Sequence, residues 1–223
     1  MGVLFHHSQF AIHHSRTARV ACPRLPMTGG HTTAILRIDM SWIDQRPDDA
    51  MAGAFEAIGP DAVTTVAPAL FREAMSRLGA AVHVVTTAGK AGKTGFTATA
   101  VCSVSDAPPT LLVCINRKST GGPTMRENGV FCVNTLGAEA EAIADMFAGR
   151  TGAQSEARFE MGSWGTLATG APVLADAAVA LDCRVVDVKA VASHYVIFGA
   201  VEAVQMGAGG PVLVYHDRAY KRV

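Results

Sequence analysis

A chain of 223 residues is long enough to bury one well-packed domain, or one domain with an appendage. Its 19 basic and 19 acidic side chains cancel, so no global field draws it to nucleic acid or to an anionic membrane. No stretch approaches the roughly 18 uninterrupted apolar residues of a membrane span, and the chain is expected to be soluble.

Residues 1–38 carry no Asp or Glu, yet hold Arg16, Arg19, Arg24 and Arg37 together with His6, His7, His13, His14 and His31. They lack the clean apolar centre of a secretory signal. They are expected to be a disordered leader, or to precede a true start at Met27 or Met40. From Ser41 to Pro68 the composition is mixed and alanine-rich, as in a linker. Residues 1–68 are therefore set apart from a folded domain over residues 69–223. Pro68 opens a helix in APALFREAMSRLG, with Leu70, Phe71, Ala74, Met75 and Leu78 as its apolar stripe and Gly79 as its stop.

Ala80–Thr87 is β-branched and reads as the first strand, with a hairpin turn over Gly89–Gly92. His83 lies within that strand, where a packed or surface role is the ordinary one. Gly95–Ser119, GFTATAVCSVSDAPPTLLVCINRKS, organises the rest of the chain. In its first half Thr97, Ala98, Thr99, Ala100, Ser103 and Ser105 stand where a barrel strand normally carries bulk. Such a strand leaves room for a flat ligand and offers it hydroxyl and backbone donors. Pro108 and Pro109 break the ladder, and Thr110–Ile115 reads as a fully buried return strand. It ends in Asn116, Arg117, Lys118, Ser119 and Thr120, a polar run suited to an anion.

Thr120–Asn128 is expected to be a short helix capped by Ser119 or Thr120, whose free N–H groups would favour a phosphate, and Gly129 ends it. Val130–Asn134 is another strand, and Gly137–Phe147 an amphipathic helix with Ile143, Met146 and Phe147 on one side. Gly149–Met161 has loop composition and the length of a functional excursion, folded back by Trp164 and Leu167. Two long strands, Ala177–Val191 and His194–Gln205, and a last one, Val212–Tyr215, bring the count to about seven. No series of β-α-β units appears, which points to a mainly β, antiparallel Greek-key barrel with peripheral helices.

Of the five cysteines, Cys22, Cys102, Cys114, Cys132 and Cys183, no two share C-x-x-C spacing, so no metal site is expected. Four fall in predicted strands as small core hydrophobes, a usage that suits a reducing cytoplasm. G-x-S-x-G, H-E-x-x-H, the G-x-x-x-x-G-K-[ST] phosphate loop and the dinucleotide-binding glycine fingerprint are all absent. Asp182 and Asp187 stand alone among apolar neighbours, a poor start for acid-base hydrolysis. What is left is a barrel with a slot for a planar group that brings its own reactivity.

Six segments in register carry a resemblance: FREAMSRLGAAVHVVTT, GFTATAVCSVSDAPPTLLVCINRKS, NGVFCVNTL, TGAPVL, SHYVIFGAVE and PVLVYHDRAY. In this order they resemble the short-chain flavin reductases that feed two-component monooxygenases, with the nearest likeness to the FMN reductases of uracil (pyrimidine) utilisation. The likeness covers about residues 69–223. It implies an FMN-binding split β-barrel, usually a homodimer with the flavin near the subunit interface. It also implies FMN as cofactor, with FAD as the alternative, and NADH as hydride donor, with NADPH as the alternative. The implied partner is a flavin-dependent monooxygenase served by diffusible flavin.

Carried over by the same resemblance, Thr97, Ala98 and Thr99 border the flavin ring and ribityl chain, and Cys102, Ser103 and Val104 contact it. Asn116, Arg117, Ser119 and Thr120 hold the phosphate end, with Arg117 as the charge partner. His194 stands beside the nicotinamide as the catalytic candidate, and Tyr215 and Arg218 line the same mouth. Gly121 and Gly122 depart from the bulkier residues of relatives. A pyridoxine-phosphate-oxidase-like enzyme and a non-catalytic flavin or haem binder are the rival readings.

Overall fold

The computed structural model describes residues 64–153 and 155–223. The expectations for the leader, its histidines and Cys22 lie outside the described residues. Helix α1, Pro68–Ser76, starts on the proline as its composition requires, because the first turn has no use for the missing N–H. Its apolar stripe, however, is not buried among the described residues: Leu70, Phe71, Met75 and Leu78 are 46–61% exposed.

The β-branched run after α1 is two strands, not one. Ala80–Ala81 (β1) and His83–Thr87 (β2) part at Val82, whose N–H bonds Leu213 O at 2.9 Å, and they enter different sheets. The organising stretch is likewise interrupted. Thr94–Ala98 (β3) pairs with β2, whereas Val101–Asp106 (β4) pairs with Pro109–Asn116 (β5). The corner between them is Thr99–Ala100. There the Cys114 N–H reaches Ala100 O at 3.0 Å, and small side chains let the backbone turn this tightly.

Helix α2 (Gly121–Asn128) ends at Gly129 in the left-handed region with φ 71°, where a glycine carries no Cβ penalty. Val130–Thr135 (β6) follows, then helix α3 (Glu141–Phe147), shorter at its start than the alanine-rich segment predicts. Trp164–Thr166 (β7) and Pro172–Leu174 (β8) form a small ribbon. Val179–Val191 (β9) and His194–Met206 (β10) form the long hairpin that the β-branched pattern predicts. Leu213–His216 (β11) and Ala219–Arg222 (β12) close a second sheet, ordered β1-β11-β12. The β12 hairpin has no glycine turn signal in the sequence: Asp217 and Arg218 supply the turn, with φ of 50° and 59°.

The main antiparallel sheet runs β3-β2-β6-β9-β10-β5-β4. Its two edge strands are consecutive in the chain, so the sheet curls until the Thr99–Ala100 corner joins its ends, giving the expected split barrel. β5 is half buried and not fully buried: Leu111, Val113 and Ile115 face the core while Thr110, Leu112 and Cys114 are partly exposed. That is the period-two burial of a strand covered on one face. Leu111, Val113, Ile115, Phe131, Val133 and Ile197 fill the barrel, and a second cluster around Phe147, Leu136 and Leu174 packs outside it.

The cysteines divide. Cys132 and Cys183 are core residues, and burial pushes the Cys183 thiol up to about 12 and raises that of Cys132 as well. Cys102, expected in the core, is instead exposed on β4. Among the described residues, no helix is long and apolar enough to cross a membrane.

Candidate functional site

A crevice of about 530 Å³ opens where the two ends of the main sheet meet. That is within the range of small-molecule sites, roughly 300–1,000 Å³. One wall is the end of β3 and the corner: Thr97, Ala98, Thr99 and Ala100. The facing wall is the end of β5 and the turn into α2, with Cys114, Asn116, Lys118, Ser119, Thr120 and Gly121. His194 joins from the start of β10, opposite Asn116 in the β5–β10 register. Small side chains on the corner leave the width for a planar group.

Several polar groups here are already engaged within the chain. Thr97 Oγ1 donates to Ala144 O at 2.6 Å, tying β3 to α3. Asn116 Oδ1 accepts the Lys118 N–H at 2.9 Å, and Ser119 Oγ accepts the Gly121 N–H at 3.3 Å. These two bonds shape the β5–α2 turn and present its backbone towards the crevice. Gly121 and Gly122 are buried, and a Cβ at either would lie 3.5 Å or more from its neighbours, so alanine would fit there without displacing the turn.

The third side comes from the excursion after α3. Phe147, Ala148, Gly149 and Arg158 line the crevice. Phe147, Phe159 and Trp164 stack mutually at 5.0–5.4 Å between centroids, which holds the loop against the barrel. Arg158 spans the gap, donating from Nε to Ala153 O at 3.0 Å and from Nη1 to Gly95 O at 3.1 Å. Gly95 is fitted to this arrangement: a Cβ there would come within 2.8 Å of the Phe147 ring.

Lys118 and Arg158 give the crevice two cations, and among the described residues none that lines it is Asp or Glu. A flat, anionic ligand matches this donor set, and a phosphorylated flavin is such a ligand.

The structure thus brings together Thr97, Ala98, Thr99, Asn116, Ser119, Thr120 and His194. It places the other expected residues elsewhere. Cys102, Ser103 and Val104 lie exposed on β4. Arg117 turns to the β9–β10 hairpin, where Nη1 donates to Ala192 O at 3.2 Å. Tyr215 packs against Tyr220 at 5.5 Å between centroids, and Arg218 pairs with Glu73 of α1 at 2.5 Å.

Phe96 and Arg158 also line the crevice, and no motif in the sequence marks either. Lys118 stands in the polar run beside the residues chosen. Arg158 lies in the excursion marked by its length, but nothing in its spacing shows that it folds back on β3.

Residues 75–223 match the family model described as flavin reductase like domain. FMN reductase (NADH) RutF of Methylorubrum extorquens strain DM4 is 52% identical over 168 residues, 75% of this chain and 81% of that protein. A crystal structure of a putative flavin reductase from Haemophilus somnus 129PT superposes with a TM-score of 0.68 at 42% identity, covering 71% of this chain and 100% of that one. BorF, the flavin reductase component of a bacterial two-component tryptophan halogenase, superposes with a TM-score of 0.66 at 26% identity, covering 70% and 98%.

Proposed function

The chain belongs to the flavin reductase-like family, and from that premise we propose that it is an NADH-dependent FMN reductase releasing reduced flavin to a partner monooxygenase. FAD and NADPH are the alternative acceptor and donor, and pyrimidine degradation is the setting that the resemblance suggests. The observation that carries this reading is the crevice itself, walled by Thr97–Ala100, faced by the β5–α2 turn and bearing Lys118 and Arg158 without an acidic neighbour.

Bound flavin supplies the ring that accepts hydride from a reduced nicotinamide. The chain's task is binding and orientation, which needs no protein nucleophile. In this reading Thr97, Ala98 and Thr99 border the ring, and Asn116, Ser119, Thr120 and Lys118 hold its phosphate. His194, exposed at the crevice mouth, meets the nicotinamide. Backbone N–H groups of the β5–α2 turn favour negative charge on the bound ring. Few charge-assisted contacts are available, so retention is moderate: a Kd near 1 μM corresponds to about 8 kcal/mol. Moderate retention suits a flavin that must leave.

The protein is proposed to act as a homodimer. The exposed stripe of α1 and the exposed Cys102, Ser103 and Val104 support this, because an apolar helix face gains from burial against a second copy. Arg218 is tied to α1 through the Arg218–Glu73 ion pair.

Purified protein mixed with FMN and NADH tests the reading. Enzyme-dependent loss of NADH absorbance, compared over the four donor and acceptor combinations, is expected with NADH and FMN preferred. Spectral binding of flavin without turnover would instead identify a non-catalytic binder.

A further inference from the structure

Two of the residues that line the crevice, Ala148 and Gly149, form the C-terminal cap of α3. Gly149 takes the left-handed φ of 78°, its N–H donates to Met146 O at 3.2 Å, and the Arg150 N–H donates to Asp145 O at 3.2 Å. A helix that ends on a glycine satisfies its last carbonyls with this pair of bonds. The wall of the crevice is therefore placed by Asp145 and Arg150, the residues on either side of it.

Their side chains are bonded as well. Arg150 Nη1 donates to Asp145 Oδ1 at 2.7 Å. The same oxygen accepts the Tyr220 hydroxyl of β12 at 3.1 Å, and the Arg150 guanidinium lies 5.6 Å from the Tyr220 centroid. Burial, and then the bond to Asp145, hold the Tyr220 phenol up at about 12, so it stays protonated and donates. Tyr220 stands edge-on to Tyr215, its partner in the β11–β12 ladder, and both pack on the outer cluster that contains Ala144 and Phe147. Tyr220 thus reaches the crevice wall through Asp145, 75 positions earlier in the chain.

Helix energetics alone do not call for Asp145. A carboxylate in the last turn opposes the negative end of the helix dipole, and an ion pair whose side chains are 54% and 40% exposed adds little to stability. What the cluster supplies is a fixed position. Ala144 O, one residue earlier, accepts the Thr97 hydroxyl at 2.6 Å, so α3 is held between β3, which borders the ring side of the crevice, and β12. We propose that Tyr220, Asp145 and Arg150 form a latch that sets the Ala148–Gly149 wall against the flavin ring, with Tyr220 a positioning residue for flavin affinity; the inference rests on the reductase reading.

Fluorescence titration reads the Kd for FMN and for riboflavin on the full chain and on Tyr220→Phe, Asp145→Ala, Asp145→Asn and the double variant Tyr220→Phe/Asp145→Ala, with thermal melts by circular dichroism alongside. Tyr220→Phe keeps the ring and Asp145→Ala favours the helix, so the fold is expected to hold in both. Each should weaken FMN and riboflavin by the same factor, about three- to tenfold, because a wall set slightly off position meets the ring that both flavins share. The double variant should bind no more weakly than the worse of the two single ones, as residues acting through one bond do. Asp145→Asn, whose Oδ1 still accepts from both donors, should stay within about twofold of the unaltered protein. Flavin affinity unchanged in Tyr220→Phe and Asp145→Ala whatever their Tm, losses that add in the double variant, or a loss confined to FMN would each overturn the proposal. Flavin binding without NADH-dependent reduction would defeat the reductase reading, while these titrations would still decide the latch.

Discussion

His194, the first residue of β10, stands directly opposite Asn116, the last residue of β5, in the antiparallel ladder. Both line the crevice, so two strand ends fixed by continuous pairing set the spacing between the Asn116 side chain and the imidazole. One ring nitrogen of His194, Nδ1, lies 2.9 Å from Ser193 Oγ, which orients the ring from its own turn. A residue that meets the nicotinamide and not the flavin should affect turnover selectively. His194→Ala is expected to lower kcat/KM for NADH by about ten- to a hundredfold while the FMN Kd shifts less than about threefold. Stopped-flow NADH oxidation and flavin fluorescence titration measure the two; an equal loss in both removes His194 from the nicotinamide side.

Lys118 is the exposed cation of the β5–α2 turn, and its backbone N–H is already used by Asn116 Oδ1, which fixes where the side chain starts. Its ammonium should therefore act on the flavin phosphate and not on the ring. Lys118→Ala is expected to weaken FMN about tenfold, the worth of one charge-assisted contact, and to leave riboflavin within about twofold. Raising the salt concentration should weaken FMN in the unaltered protein as well. Parallel loss of riboflavin affinity would mean that the substitution had disturbed the crevice wall.

Much of this arrangement is legible in the chain because local chemistry sets it. The small residues at 97–100, the Pro108–Pro109 break and the Asn116–Thr120 run each announce a backbone event, and β9 and β10 declare themselves through long β-branched patterns. What is not legible is set by contacts far apart in sequence. Arg158 reaches Gly95 across 63 positions, and the Phe147–Phe159–Trp164 packing helps to hold it there. Arg117 and Lys118 are adjacent, and which of them faces the crevice depends on the Ala192 carbonyl of a distant hairpin. Likewise the amphipathic pattern of α1 predicts burial without saying against what, and among the described residues nothing buries it.

Gly199 sits where β10 passes under Phe131, at an irregularity in its pairing with β9. A Cβ there would come 2.6 Å from Phe131 Cε1 and 3.0 Å from Cys183 Cβ, both fully buried and unable to swing outward. Gly199→Ala should therefore overpack the barrel, costing about 1–3 kcal/mol. For a chain of this size that lowers Tm by roughly 3–10 °C. Gly165→Ala on β7, where a Cβ would have nothing within 4 Å, is the control and should leave Tm nearly unchanged. Thermal unfolding by circular dichroism compares them; equal behaviour of the two variants would contradict the packing argument.

The α1 stripe offers Leu70 and Phe71 at 61% and 56% exposure, with Met75 and Leu78 beside them. A charge in the middle of an apolar contact is costly to bury, while on a free surface it is harmless. Light scattering is expected to give a dimer for the unaltered protein and a shift towards monomer for Phe71→Glu. A monomer in both cases would leave the stripe without the self-association assigned to it.

His83, on β2 opposite Thr135 of β6, places Nδ1 3.0 Å from Thr135 Oγ1, and burial pushes its pKa down from the ordinary 6.5 to about 4. Between these values the unfolded chain takes up a proton that the folded one refuses, so the proton favours unfolding. Stability is then full above about pH 6.5, falls as the pH drops towards 4, and levels off below it. At about 1.4 kcal/mol per unit, the loss is on the order of 3–4 kcal/mol over the whole window. The exposed carboxylates Glu73 and Glu202, held low by Arg218 and Arg184, lose their pairing only at more acidic pH, so they do not mask the effect between pH 7 and 5. Urea unfolding at pH 7.5 and pH 5.0 should show a drop for the unaltered protein that is largely absent in His83→Gln, a side chain that keeps a hydrogen-bonding group near Thr135 but does not titrate. The same drop in both proteins would place the acid sensitivity elsewhere in the fold.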